Sequence, residues 1–170
     1  MKKVEHGKTF DRNAANPPAF EIFHNTVTEG YPEHWHTAIE IIMPTRGEYE
    51  VVVGKDSYNL KEGDIIMINS GVVHGMRFVS QGERIVMLVE PGCVENQEEM
   101  ETIFLRLPAI YFKKEDEEDP FYLFLRSQIL ELVREYDNEG AVMTHRICTG
   151  LKELFSEFGR KGFSAVSYTH

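Results

Sequence analysis

The stretch from His34 to His74, HWHTAIEIIMPTRGEYEVVVGKDSYNLKEGDIIMINSGVVH, sets strand-length apolar runs between turn-forming residues and carries histidines at both ends. AIEIIM, EYEVVV, DSYNL and DIIMI are the runs; TRGE, VGKD, KEGD and NSG are the breaks. The flanking sequence continues the pattern, with EIFHNTV before it and RIVMLVE after it. Such spacing predicts an all-β sandwich or barrel. EIIM and DIIMI are continuous rather than alternating, which predicts strands buried on both faces, one lining a cavity and the other covered by a further layer. Gly54, Lys55 and Asp56 suit a tight hairpin that brings Val51 and Val53 beside Tyr58 and Leu60.

Past residue 110 the period changes. KKEDEEDP is a charged connector in which Asp119 suits a helix N-cap and Pro120 the first helical position. Phe121, Phe124, Leu125, Leu132, Val133 and Tyr136 then recur at helical spacing. Residues 137–140, DNEG, break the chain before a second stripe of Ile147, Cys148, Leu151, Leu154, Phe155 and Phe158. The short connection predicts antiparallel neighbours. These helices cap the barrel, or one stripe meets its copy in a homodimer through residues 119–160. The expected division is a β-barrel over 1–110, a helical appendage over 111–160 and a linker over 161–170.

The bulk composition narrows the function. A formal net charge of -10 opposes nucleic-acid phosphates, and no basic cluster offsets it. No apolar segment approaches the length of a membrane span, and the start lacks the apolar core of a secretory signal. Cys93 and Cys148 show neither CxxC spacing nor a disulfide framework, and read as free thiols, packed as small hydrophobes, of a cytoplasmic protein. His24 and His145 read as ordinary surface or core histidines, and His6 and His170 fall in the chain ends. Met43, Met67, Met76 and Met87 read as core filler, although Met67 in a cavity wall would touch a ligand.

The chemistry concentrates at His34, His36, Glu40 and His74. Side chains at i and i+2 of an extended chain share a face about 6.5 Å apart. Two imidazoles so placed can converge on one ion at roughly 2 Å. Glu40 adds a carboxylate and His74 a third nitrogen, a set suited to a divalent transition metal with room for substrate. A straight chain would hold His36 and Glu40 about 13 Å apart. The reading therefore requires a bend at Thr37 and Ala38.

This combination resembles the two cupin motifs. His34, His36, Glu40 and Gly47 match the first, with Gly30 closer to His34 than the pattern asks. Gly63, Gly71 and His74 match the second, with Asn69 in place of the usual proline and Phe78 in place of the final asparagine. The resemblance implies a mainly β cupin fold, a double-stranded β-helix or jelly-roll-like barrel, followed by a pair of antiparallel helices. The wording H-W-H, E-I-I, Y-x-L-K-x-G-D and I-N-x-x-x-x-H is more similar to the N-terminal sensor domains of AraC-type transcription regulators, over roughly residues 15 to 160.

That resemblance implies a module that binds a small effector in the barrel, dimerises through its helices and reaches DNA only through a C-terminal domain not present in this sequence. Trp35 would offer an apolar wall. His34, His36, Glu40 and His74 would be either polar hooks for the effector or ligands of zinc, nickel, iron or manganese. The alternative is a small metal-dependent cupin enzyme, an oxygenase, isomerase or decarboxylase. For it, Glu48, Tyr49 and Glu50 are the acid–base candidates, and the helical tail has no role.

Overall fold

The even and odd residues of the apolar runs have different partners, and this alternation organises the molecule. In the computed structural model, residues 18–26, 30–94, 107–116, 118–138 and 140–161 are described. Their strands are β1 (Phe20–Asn25), β2 (Tyr31–His34), β3 (Ile39–Arg46), β4 (Tyr49–Val53), β5 (Asp56–Leu60), β6 (Ile65–Ile68), β7 (His74–Phe78), β8 (Glu83–Val89) and β9 (Ala109–Phe112). They form a five-stranded sheet in the order β1-β8-β3-β6-β9 and a four-stranded sheet in the order β2-β7-β4-β5. All the pairings are antiparallel.

The larger sheet is covered on both sides, as the continuous runs predict. Ile42 of β3 and Ile66 and Ile68 of β6 face the smaller sheet and pack with Tyr49, Val51, Val53, Leu60 and Met76. Ile39, Ile41, Met43, Ile65, Met67, Ile85 and Met87 point the other way and pack under two helices. Those helices are α1 (Pro120–Asp137) and α2 (Met143–Lys161).

The hairpin forms where expected. Val53 pairs with Asp56 and Val51 with Tyr58, leaving Gly54, at φ 58°, in the left-handed conformation that a two-residue turn demands. Leu60 lies opposite Tyr49 rather than Val53. Three strands carry no run among those expected. β2 is exposed at all of its positions and contains Pro32, the composition of a sheet edge. β7 holds Gly75 between Tyr31 and Glu33 of its neighbour, and β9 straddles residue 110, where the barrel was expected to end.

Asp119 caps α1, its carboxylate accepting from the Phe121 amide at 2.9 Å, and Pro120 opens the helix. Its buried stripe is Tyr122, Leu125, Ile129 and Leu132. It is thus centred on Tyr122 and Ile129, which the expected stripe omitted. α2 buries Ile147, Leu151, Leu154, Phe155 and Phe158. Lys161 at its end bonds Asp119 at the start of α1 at 2.8 Å, so the helices are antiparallel. Both stripes join the barrel's core, so neither is left over to meet a second copy. The expected 161–170 linker lies outside the described residues from 162 onward. Among the described residues, no helix is long and apolar enough to cross a membrane.

Leu154 is 0% exposed in the layer joining helix to sheet. Leu154→Ala is expected to destabilise the chain by about 2–5 kcal/mol, read as a lowered midpoint in urea. A midpoint within error of the parent would mean that the helices are not docked on the barrel.

Candidate metal centre

Four elements bring the donors together. His34 ends β2, His36 follows in the loop, Glu40 is the second residue of β3, and His74 opens β7. The chain bends at Thr37 and Ala38. That bend turns the 13 Å of a straight strand into a hydrogen bond of 3.0 Å between His36 Nε2 and Glu40 Oε2. His34 lies directly opposite His74 in the register of β2 and β7, with ring centroids 4.4 Å apart. Glu40 comes from the other sheet, so the cluster joins the two layers at the barrel's rim. Its donor atoms all lie within 4.8 Å of one another. His36, Glu40 and His74 are buried and His34 is exposed.

The loop before His74 is fixed on the loop after His36. The Gly71 amide donates to the His36 carbonyl at 2.9 Å, and Ser70 Oγ donates to the Thr37 carbonyl at 2.6 Å. Gly71 has φ 72°, in the left-handed region that glycine adopts without strain. Asn69, standing where the cupin pattern has proline, uses its side chain to accept from the Ser70 amide at 2.7 Å. The substitution thus keeps the turn by a different means.

Each imidazole turns Nδ1 to a main-chain carbonyl: His34 to Pro32 at 2.9 Å, His36 to Ala38 at 2.9 Å and His74 to Val72 at 2.8 Å. A carbonyl only accepts, so each Nδ1 carries a proton and donates it, and Nε2 is left as the coordinating atom. For His36 and His74, Nε2 lies 3.0 and 2.8 Å from the same oxygen of Glu40. In neutral rings those nitrogens hold lone pairs, which oppose a carboxylate oxygen. The arrangement is satisfied by a proton on each Nε2 or by one cation shared among them. Three imidazole nitrogens and a carboxylate oxygen could hold a divalent transition metal, and the tautomers leave Nε2 free to coordinate it.

Burial pushes the Glu40 carboxyl up, but the hydrogen bonds and charges of His36 and His74 outweigh it and bring the carboxyl down to about 2. For His74, burial acts to lower the imidazole. Its bond to Glu40, that residue's charge and the Val72 carbonyl overcome this and raise it. The carboxylate is therefore ionised at neutral pH.

The other sequence-derived candidates fall elsewhere. Met67 packs on the helix side of the larger sheet at 2% exposure, the opposite face from Glu40, because an odd residue of β6 cannot share the face of Ile66 and Ile68. Met67 is thus core and lines no ligand wall. Trp35 stands on the rim, 53% exposed. The face expected to line a cavity is packed against the smaller sheet around Ile42, Ile66 and Val51. Among the described residues, grooves of about 470 Å³ open on the surface along Gly30–Glu33 and Gly75–Arg77 and around Asn59, Asp64 and Tyr111. Glu50 bonds Ser57 and Arg77, and Val53, not Tyr49, is the β4 residue paired with His74. Sequence reasoning missed Arg84, which is fully buried, its guanidinium 4.8 Å from the centre of the Tyr49 ring and 5.5 Å from that of Tyr31. A charge opening the RIVMLVE run was the available signal.

Residues 25–90 match the Cupin_2 family, the cupin domain, and the fold is that of a cupin with two helices packed on it. No curated protein matches the chain. Among solved structures, it is similar to ToxT from Vibrio cholerae strain SCE256, at 12% identity and TM-score 0.56 over 86% of this chain and 58% of that one. It is similar to the AraC-like transcriptional activator CuxR at 9% identity and TM-score 0.53, over 78% of this chain and 46% of CuxR. The chain thus spans about half the length of these neighbours. Oxalate decarboxylase from Bacillus subtilis aligns at 19% identity and TM-score 0.36 over 41% of this chain and 20% of the enzyme.

Titration of the metal-free chain with Zn²⁺, Ni²⁺ or Mn²⁺ is expected to give one ion per chain by calorimetry. His36→Ala or His74→Ala should weaken it by more than the roughly 10–100-fold that loss of an outer partner costs, and His145→Ala should leave it unchanged. Equal affinity in His74→Ala would mean that the ion sits elsewhere.

Proposed function

We propose that this cupin domain is the effector-sensing part of an AraC-type transcription regulator, with a divalent ion held by His34, His36, Glu40 and His74. The observation that carries the reading is the donor cluster at the barrel's rim, closed on the inner side by buried His36 and His74 and open on the side of exposed His34. The likeness to CuxR over 78% of the chain supports it, because that span is longer than the barrel strands. A bound divalent ion would supply an electrophilic anchor for an anionic or carbonyl-bearing molecule. The chain itself supplies the orientation: carbonyls fix the rings, Glu40 holds two of them, and Trp35 beside the rim gives a flat apolar surface. Binding regulates only if the two states of the domain differ in affinity for the effector.

The test is a thermal-shift screen of the metal-loaded chain against sugars, small carboxylates and phenols. An effector at about 100 times its Kd stabilises by about 2.7 kcal/mol, roughly 5–10 °C for a domain of this size. The shift should shrink in His34→Ala and the compound should be recovered unchanged. A metal-dependent cupin enzyme is the second reading, favoured by the same accessible donors, and chelator-sensitive consumption of the compound would decide for it.

The proposal includes a homodimer through residues 119–160. With the inner stripes on the barrel, the contact belongs to the outer helix faces, where Leu123 is 50% exposed. Sedimentation should give a dimer that Leu123→Glu converts to monomer; a parent monomeric at all concentrations overturns this part.

A further inference from the structure

Cys93 closes the one-turn helix Pro91–Cys93 that follows β8, and Cys148 lies on α2, far along the chain. Folding sets their sulfur atoms 3.4 Å apart. Both residues are partly exposed. Neither is used by the metal cluster. We propose that Cys93 and Cys148 form a reversible disulfide that staples α2 to the barrel when the protein meets a peroxide. The proposal is independent of the metal site and of the effector.

The geometry needs little movement. A disulfide spans about 2.05 Å, so the sulfurs must close by about 1.4 Å. Cys93 sits on a short turn at the end of its strand. On the other side, Cys148 is flanked on α2 by Ile147 and Leu151, both 0% exposed, so the helix holds its sulfur in place. The turn is tied to the rest of the barrel through Glu90. Its amide donates to the Ala19 carbonyl at 2.9 Å and its carboxylate accepts from Thr37 Oγ1 at 3.2 Å. The staple would therefore join α2 to the segment that also holds the bend between His36 and Glu40.

The product is the same whichever sulfur reacts first, taken here as Cys148. Cys148 gives up its proton and attacks a peroxide oxygen, breaking the O–O bond to give a sulfenic acid and water. The Cys93 sulfur then attacks the Cys148 sulfur. The S–O bond breaks, and the hydroxide leaves as water with the Cys93 proton. Two thiols are oxidised and one hydrogen peroxide is reduced to two waters.

The bridge would close a loop of about 55 residues, which predicts a rise in Tm on the order of 10 °C. The test treats the full chain, in its folded state and in concentrated guanidinium, with a small excess of hydrogen peroxide. Intact mass, non-reducing peptide mapping and Tm are the readouts. The expected result is a loss of about 2 Da, a peptide joining Cys93 to Cys148 and a raised Tm, formed faster in the folded chain and reversed by dithiothreitol. Cys93→Ser and Cys148→Ser should show neither the mass loss nor the Tm rise. Two intact thiols, stepwise oxygen addition to Cys148 without a crosslink, or a crosslink that forms no faster in the folded chain would overturn the proposal.

Discussion

A sheet buried on both faces must use every residue, and the rest of this molecule depends on that constraint. Along β3 the odd positions go to the helices and the even positions to the facing sheet. Glu40 is an even position. It points between the sheets with no alternative, and its charge must be matched there because a bare carboxylate cannot be buried. The match comes from the smaller sheet, through His74, and from the loop joining the layers, through His36. The same alternation that packs the core thus delivers one carboxylate to the rim at the height of the histidines. A slip of one residue in the pairing of β3 would exchange Glu40 for Ile39 or Ile41 and dissolve both the site and the core.

Much of this was legible in the sequence because the signals were local. The continuous runs EIIM and DIIMI announce two-sided burial, the glycines mark their turns, and HxHxxxE requires the bend that the chain makes at Thr37 and Ala38. What the sequence left out was non-local. β2 is exposed along its length, and β7 is a short HGMRF segment with no apolar pattern; each is a strand only through its partner. Met67 stayed open between core and cavity wall because a run buried on both faces hides which residue faces which side. Only the register with β9 and β3 decides it. The α1 stripe was centred one residue off for a related reason: Phe121 is apolar enough for the core, yet Tyr122 takes the buried place and sends its hydroxyl to the Gly63 carbonyl at 2.8 Å. Nor could spacing foretell that two cysteines on distant segments would touch.

The cluster is built around a carboxylate that calls for positive charge beside it. Three backbone carbonyls fix the imidazole tautomers and leave nitrogen lone pairs turned inward. An ionised carboxylate sits among them, and this arrangement rests on main-chain atoms that side-chain substitution does not remove. Protons can satisfy it, but a divalent ion does so with one particle and leaves the exposed His34 side for a ligand. This ties the regulator reading and the enzyme reading to one premise, that the four side chains hold a metal.

X-ray absorption at the metal edge of the zinc-loaded chain tests that premise most directly. Three nitrogen donors and one oxygen donor at about 2.0–2.2 Å, with the imidazole scattering lost stepwise in His36→Ala and His74→Ala, is the result this account predicts. A shell dominated by sulfur at about 2.3 Å, or one unchanged when either histidine is removed, would contradict it.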